Sequence, residues 1–328
     1  MRHARIKGWA EFNVYHCMSR TVNGEMLFNN RDKAVMRKML FQVAEFCGVE
    51  VLAYAVMTNH FHVLVRISDK ADAVDDAELL RRYKILYPTP TEYQPMPPEH
   101  LEQLLESNSP EAHDVRQQLK ERMGDISQFM KTFKQRFTMY FNKTYKRFGT
   151  LWCERFASVL VENSPETLLR VMAYIDLNPV RAGLVEDPKD YHFCSFSDLC
   201  ASHDSLTNSV TSIYPGLNSK EARAAYRKFV FGIGVNGKQR GSGHRIDTDR
   251  ADEVDQLEGY IPLSELLLHK VRHFARGIVI GGHEFVGSYL ERHRNFQFRK
   301  HKRPPNPINE ETESICYSAC NPHTQLRR

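Results

Sequence analysis

The sequence lacks any apolar run long enough to cross a bilayer. Its apolar runs, such as residues 63–65, fall far below the ~20 residues that a membrane-spanning helix needs. The basic start of the chain, residues 1–5, is not followed by an apolar stretch, so no secretory signal is predicted. We therefore expect a cytoplasmic protein whose seven cysteines are reduced thiols.

The sequence also lacks several motifs that carry familiar chemistry. No Gly-x-x-x-x-Gly-Lys-Ser/Thr loop is present, which argues against an ATPase of the P-loop class. Cysteines and histidines in 192–203 and 316–323 can ligate zinc, but neither group has a recognised zinc spacing. No internal repeat or low-complexity tract is found. The net charge of +5 is in itself only a mild hint of a polyanionic partner.

The first part of the chain predicts the order strand, helix, strand, strand. β-Forming residues fill 11–19, and apolar residues at helical spacing fill 30–47, just before Gly48. Two further apolar runs, 49–57 and 60–67, flank a tight turn. This order indicates an α+β fold with a ferredoxin-like (RRM-like) antiparallel sheet and helices on one or both faces.

The length of 328 residues suits about two domains. Residues 69–125 hold 13 acidic and 7 basic residues with several prolines, and predict two helical pieces in a surface insertion outside the core. A helix is predicted in the first half of 127–156, a strand over 151–161, and a helix from Pro165 that stops near Asn178. The predicted organisation is a domain over 8–200 with the insertion 69–125, a linker over 201–243, a mainly helical C-terminal accessory region over 244–303, and a disordered tail over 304–328.

The pair His60 and His62 is the sharpest chemical feature. In a strand, residues i and i+2 point to the same face, with Cα atoms about 7 Å apart, so two imidazoles can converge on one divalent ion. Two packing or surface histidines would give the same pattern, because His-x-His alone is a weak motif.

A second feature is the pair Tyr174 and Asn178. They are i and i+4 on the predicted helix and therefore neighbours on one face, so a hydroxyl and an amide oxygen can address the same phosphate. A core tyrosine one turn before a proline stop would look the same.

The third feature is the basic, aromatic stretch 127–156, with seven cations and one acid. Cations neutralise phosphates and aromatic rings stack on unpaired bases, although the phenylalanines at helical spacing fit a core equally well. A solvated face is the alternative for the cations. The candidate DNA-binding residues are Lys131, Lys134, Arg136, Lys143, Lys146, Arg147, Trp152 and Arg155, together with Arg181, which follows the helix predicted to begin at Pro165.

Taken together, the three features resemble the REP-associated tyrosine transposases, within the single-tyrosine HUH transposases of small insertion sequences (the IS200-like family). The order and spacing of the motifs fit over about residues 8–200, and the insertion 69–125 is longer than the family's usual loop. The matching stretches are 15–20 (YHCMSR), 55–65 (AVMTNHFHVLV), 126–131 (ISQFMK), 140–142 (YFN) and 173–185 (AYIDLNPVRAGLV).

The resemblance implies specific roles. It puts metal binding on His60 and His62, with Asn178 in the place of a third, helix-borne ligand, and it makes Tyr174 the nucleophile. The implied activity is metal-dependent cleavage and strand transfer of single-stranded or hairpin DNA through a 5′-phosphotyrosine, with Mg²⁺ or Mn²⁺ as cofactor. We expect a monomer or a homodimer.

Two other functions remain open from the sequence. One is a non-catalytic nucleic-acid-binding module with the same RRM-like topology, although its ribonucleoprotein motifs are not visible. The other is a two-histidine phosphoesterase, which needs a second His-x-Thr/Ser pair; His203 and His244 do not supply one. Covalent capture of a nicked oligonucleotide through Tyr174 discriminates among these functions.

Overall fold

A computed structural model describes residues 8–68, 73–91, 94–107, 109–201, 204–235, 277–292, 306–307 and 317–320. Its central feature is a sheet in which the first four strands run in the order β2-β3-β1-β4, all antiparallel to their neighbours. This is the predicted ferredoxin-like arrangement, and the α+β class is confirmed. The strands are β1 (Phe12–Arg20), β2 (Val49–Val56), β3 (His60–Ser68) and β4 (Ala157–Val161).

Local signals fix the helix between the first two strands. Helix α1 (Asn30–Cys47) begins with a capping box, in which Asn29 and Asp32 satisfy each other's backbone N–H groups. It ends at Gly48, whose φ of 64° is left-handed, the geometry that glycine adopts without steric cost. The predicted helix bounds are confirmed, because the capping box marks the start of the helix and Gly48 marks its end.

The strand β3 separates two cores by its alternation. Phe61 and Val63 pack under α1 and α5 (Ile126–Tyr145), whose buried face includes Phe129, Phe133 and Phe137 as predicted. Leu64 points to the opposite face, under α6 (Pro165–Asp176). His60 and His62 share that second face by the period of two.

The acidic segment 69–125 differs from the prediction. It forms three helices rather than two: α2 (Asp76–Leu86), α3 (Pro98–Glu106) and α4 (Pro110–Lys120). Their apolar sides, including Leu79, Tyr83 and Leu101, are buried in the core shared with α1 and α5. The acidic excess lies on the outer faces, so composition was misleading about burial.

The predicted linker 201–243 is wrong for its described part. After the short helices α7 (Asn178–Arg181) and α8 (Ser195–Cys200), the chain forms α9 (Asp204–Ile213) and α10 (Ser219–Val235). Both pack in the core beneath α6, where Val210, Tyr226 and Val230 are buried. The glycines that suggested a linker fall mostly in 236–243, outside the described residues.

The described C-terminal residues extend the same sheet. Strand β5 (Gly277–Gly281) runs parallel to β4 and is followed by α11 (His283–Arg292). Strands β6 (Asn306–Pro307) and β7 (Tyr317–Cys320) complete the order β4-β5-β7-β6, so these parts of the predicted tail are ordered. Within the predicted accessory region, the described residues 277–292 form the five-residue strand β5 and the ten-residue helix α11, so this part is mainly helical. No helix among the described residues is long and apolar enough to span a membrane.

Candidate active site

Three histidines meet on the α6 face of the sheet. The rings of His60 and His62 lie edge to face with centroids 5.2 Å apart, on the shared face that the sequence predicts. His16 of β1 stacks on His62 at 5.1 Å, and its Nε2 lies 3.0 Å from Nδ1 of His62. Sequence reasoning missed His16, because its role depends on which strand β1 pairs with.

The strand register explains this meeting. Met18 pairs with His62 and His16 pairs with Leu64, so the two histidines are diagonal neighbours on one face. Arg20 pairs with His60 at the end of the ladder. A predicted register between β1 and β3 would have identified His16, because it lies two residues before Met18, the partner of His62.

Burial favours the neutral form of His60 and His62. Burial lowers the pKa of His60 to about 4, and the positive charges of Arg20 and Arg181 act in the same direction. Burial likewise lowers the pKa of His62 well below its usual value, and His16 and His60 lower it further. Neutral imidazole is the form that binds metal ions.

Tyr174 closes the cluster from the helix side. Its ring lies edge-on to both His16 and His62, with centroids 5.8 Å away in each case, and it is only 1% exposed. The guanidinium of Arg181 stacks over the ring at 4.2 Å. Burial raises the pKa of the Tyr174 hydroxyl, while the charge and hydrogen bonding of Arg181 lower it.

Asn178, the first residue of α7, is held by the last turn of α6. Its Nδ2 donates to the carbonyl oxygens of Tyr174 and Ile175 at 3.1 and 3.2 Å. Its Oδ1 accepts from Arg181 Nη2 at 2.8 Å, and the same Nη2 donates to the Tyr174 carbonyl at 3.0 Å. The amide oxygen is therefore engaged by Arg181, and its role as a third metal ligand stays a prediction.

The histidine pair has the chemistry of a metal site. Nδ1 of His60 lies 2.6 Å from Asn59 Oδ1, which fits an Nδ1–H donor and leaves Nε2 with the lone pair. Nδ1 of His62 is engaged by His16. In the described part of the chain, no group of three or more His, Cys, Asp or Glu side chains is arranged to hold a metal. Two imidazoles and an amide oxygen are an unusual set for Mg²⁺ and suit Mn²⁺ better.

A buried carboxylate anchors the helix that carries Tyr174. Asp176 accepts hydrogen bonds from Ser195 Oγ at 2.5 Å, from the Phe196 backbone N–H at 3.0 Å and from Tyr226 Oη at 2.6 Å. These partners belong to α8 and α10. Tertiary contacts thus fix the end of α6 two residues after Tyr174.

The predicted DNA-binding cations divide into two groups. Lys131, Lys143, Lys146 and Arg155 are exposed. By contrast, Lys134 donates to the Glu154 carbonyl at 2.9 Å, and Arg136 is half-buried over the Tyr87 ring. Arg181 belongs to the tyrosine site described above.

Trp152 lies inside the protein rather than on its surface. It is 7% exposed, its Nε1 donates to Thr138 Oγ1 at 3.0 Å, and it packs against Phe28 and Phe61. The predicted strand over 151–161 begins only at Ala157. The buried Trp152 ring is therefore not available to stack on a nucleobase in this conformation.

Comparison with known proteins finds a similar family for part of the chain. Residues 12–84 match the family model described as "Transposase IS200 like". The matched segment contains β1, both strand histidines and His16, and it confirms the family resemblance predicted from the sequence. Over these residues the chain is similar to the IS200-like transposases.

Solved structures and curated proteins provide two further comparisons. One of the solved structures similar to this chain is that of a REP-associated tyrosine transposase bound to a REP hairpin. The identity is 16%, the alignment covers 61% of this chain and 84% of that chain, and the TM-score is 0.37. No curated protein matches the sequence.

Proposed function

We propose that this chain cleaves and rejoins single-stranded DNA, with Tyr174 as the nucleophile. The observation that carries the proposal is the contact of the Tyr174 ring with His16 and His62 on the central strands. A buried phenol that lies edge-on to these two imidazoles and under a guanidinium brings together a nucleophile, the candidate metal ligand His62 and a positive charge.

The reaction balances without a nucleotide cofactor. The Tyr174 oxygen bonds to phosphorus as the bond to the 3′-oxygen breaks; the phenol loses its proton and the departing oxygen gains one. The product is a 5′-phosphotyrosine and a free 3′-hydroxyl. Because a phosphodiester replaces a phosphodiester, rejoining reverses the same exchange and needs no ATP.

The residues of the chain have separate roles in this step. Tyrosine has an ordinary pKa near 10, so its hydroxyl needs help to lose a proton. The positive charge of Arg181 favours the phenolate. His60 and His62, with Asn178 as third ligand, would hold a divalent cation, Mg²⁺ or Mn²⁺, which when bound polarises the scissile phosphate.

Access to Tyr174 requires movement. Because the residue is only 1% exposed, neighbouring side chains must shift before a phosphate reaches its hydroxyl. Arg181 stacks on the ring and bonds to Asn178, so it is the side chain whose displacement opens the site. A phosphate can exchange for the Asn178 oxygen as the partner of this guanidinium.

The experiment is covalent capture followed by peptide mapping. The protein is incubated with hairpin oligonucleotides that have single-stranded flanks, labelled at the 5′ or the 3′ end, with Mn²⁺ or Mg²⁺. We expect the 3′-labelled fragment alone to stay with the protein on a denaturing gel, and the modified peptide to contain Tyr174. Binding without any adduct would instead support the non-catalytic module.

A further inference from the structure

The most exposed large apolar side chain in the described part of the chain is Phe148. It is 97% exposed, although it lies in a well-held loop. Asn142 closes the start of this loop: its carbonyl accepts from the Arg147 N–H at 2.9 Å, and its Nδ2 donates to the Gly149 carbonyl at 3.0 Å. The ring is therefore presented to solvent by a constrained backbone.

The far end of the loop is attached beside the candidate active site. The Leu151 carbonyl accepts from the Val22 N–H at 3.0 Å, and the Cys153 N–H donates to the Arg20 carbonyl at 2.9 Å. Arg20 is the strand partner of His60. Phe148 thus lies on a loop fastened to the same end of the sheet as the first metal-binding candidate.

The charge around the ring suits a polyanion. Residues 140–153 contain Lys143, Lys146 and Arg147 and no acidic residue. Lys143 and Lys146 are exposed, and Arg147 lies over the Phe141 ring with 5.7 Å from its guanidinium carbon to the centroid. Cations of this kind contact a phosphate backbone, and an adjacent exposed ring offers a face to a base.

We propose that Phe148 is a stacking platform for an unpaired base of the single-stranded DNA that flanks the cleavage site. This rests on the proposed function for its ligand. Phenylalanine has no hydrogen-bonding group, so the platform tolerates any base, and it needs a base whose face is not covered by a neighbour in a duplex. The ring takes the role that the sequence suggests for Trp152, which is buried.

The test measures binding of the full-length chain by fluorescence anisotropy. In a Tyr174→Phe background, which separates binding from cleavage, Phe148→Ala should weaken a hairpin with single-stranded flanks roughly 5- to 150-fold. Phe148→Trp should restore binding. The slope of affinity against salt should not change, because no charge is removed.

Two matched controls sharpen the result. Phe12, 40% exposed, lies at the other end of β1, about 26 Å away from Arg20 by strand rise, so Phe12→Ala should leave binding unchanged. A blunt hairpin without unpaired flanks should bind wild type and Phe148→Ala equally. A series of abasic substitutions in the flank should identify one position at which Phe148→Ala causes no further loss.

The outcomes are distinguishable from those of the proposed function. Equal binding of wild type and Phe148→Ala to the flanked hairpin overturns the platform, whatever the capture experiment shows. A Phe148-dependent affinity with no covalent adduct supports the platform and removes the catalytic proposal. If Phe148→Ala changes only the sedimentation of the free protein, the ring is a contact between copies of the chain and the platform is wrong.

Discussion

The two faces of the sheet bury different kinds of side chain. Under α1 and α5 the core is mainly aromatic and aliphatic, built around residues such as Phe61, Phe129 and Phe133. Under α6 the core also contains His16, His62 and Asp176, each almost completely buried. Buried polar groups cost free energy unless they are partnered, and here each has a named hydrogen-bond partner.

The two faces therefore differ in what they supply. The face under α1 and α5 holds the strands together mainly by apolar packing. The polar face places His16, His62 and Tyr174 together on the α6 side of the same sheet. On the α6 face, burial lowers the pKa of His60 and raises the pKa of Tyr174, and shifted pKa values of this kind are common at functional sites.

The largest expected effect comes from removing one oxygen on the polar face. Tyr174→Phe should abolish the covalent adduct and leave DNA affinity and unfolding free energy nearly unchanged, because the ring still packs against His16 and His62. Denaturing gels and anisotropy titrations measure the two properties. Tyr145→Phe is the control, since the Tyr145 hydroxyl bonds to Asp32 and Asn29 away from the histidines. An adduct that survives in Tyr174→Phe would move the nucleophile to Tyr140 or Tyr145.

Removing either strand histidine should be nearly as severe. His60→Ala and His62→Ala should each eliminate metal-dependent cleavage, because two imidazoles form the core of the candidate metal site. Cleavage rates are measured across a Mn²⁺ titration, with the exposed His113→Ala as the control. Full activity of the wild type in EDTA would contradict the metal role.

On the aromatic face the effect should fall on stability alone. Phe133 is 1% exposed and packs against Phe61 at 5.2 Å and Phe129 at 6.3 Å. Phe133→Ala should lower the free energy of unfolding by about 3–5 kcal/mol, which denaturant titration measures. Cleavage per folded molecule should remain normal at low temperature. A specific loss of cleavage would show that the two faces are not separate.

Asp176→Ala tests the link between stability and geometry. It leaves the donors of Ser195, Tyr226 and the Phe196 backbone without their acceptor, so the free energy of unfolding should fall by about 2–4 kcal/mol. Unlike Phe133→Ala, it should also slow cleavage per folded molecule, because α6 carries Tyr174. Ser195→Ala removes one donor of the network and should have a smaller effect on both. Normal cleavage in folded Asp176→Ala would show that this anchor does not position Tyr174.

The smallest effect concerns the cations at the end of α5 and in the loop that follows it. Replacing Lys143, Lys146 and Arg147 by alanine should flatten the slope of log affinity against log salt by about 2, at about 0.7 for each lost phosphate contact on single-stranded DNA. Affinity for different sequences should fall about equally, since phosphate contacts do not read bases. Titrations at three salt concentrations check this. An unchanged slope would identify these side chains as a solvated face.

Elements whose signals are local could be predicted from the amino-acid sequence. Asn29, Asp32 and Gly48 set both ends of α1, and alternation placed His60 and His62 on one face of β3. The spacing of Tyr174 and Asn178 at the end of a helix was likewise legible. Each of these depends on residues within a few positions of one another, where backbone geometry leaves few choices.

Contacts between residues that are distant in the sequence became visible only in the folded chain. The pairing of β1 with β3 brought His16 to His62, and the packing of residues 69–125 and 204–235 turned an expected insertion and linker into core helices. Phe148 and Trp152 are aromatic residues only four positions apart, yet Phe148 is exposed and Trp152 is buried. The composition of a segment does not show which of its side chains are buried. Burial depends on the surfaces that the rest of the chain provides, and those surfaces exist only once the sheet has formed.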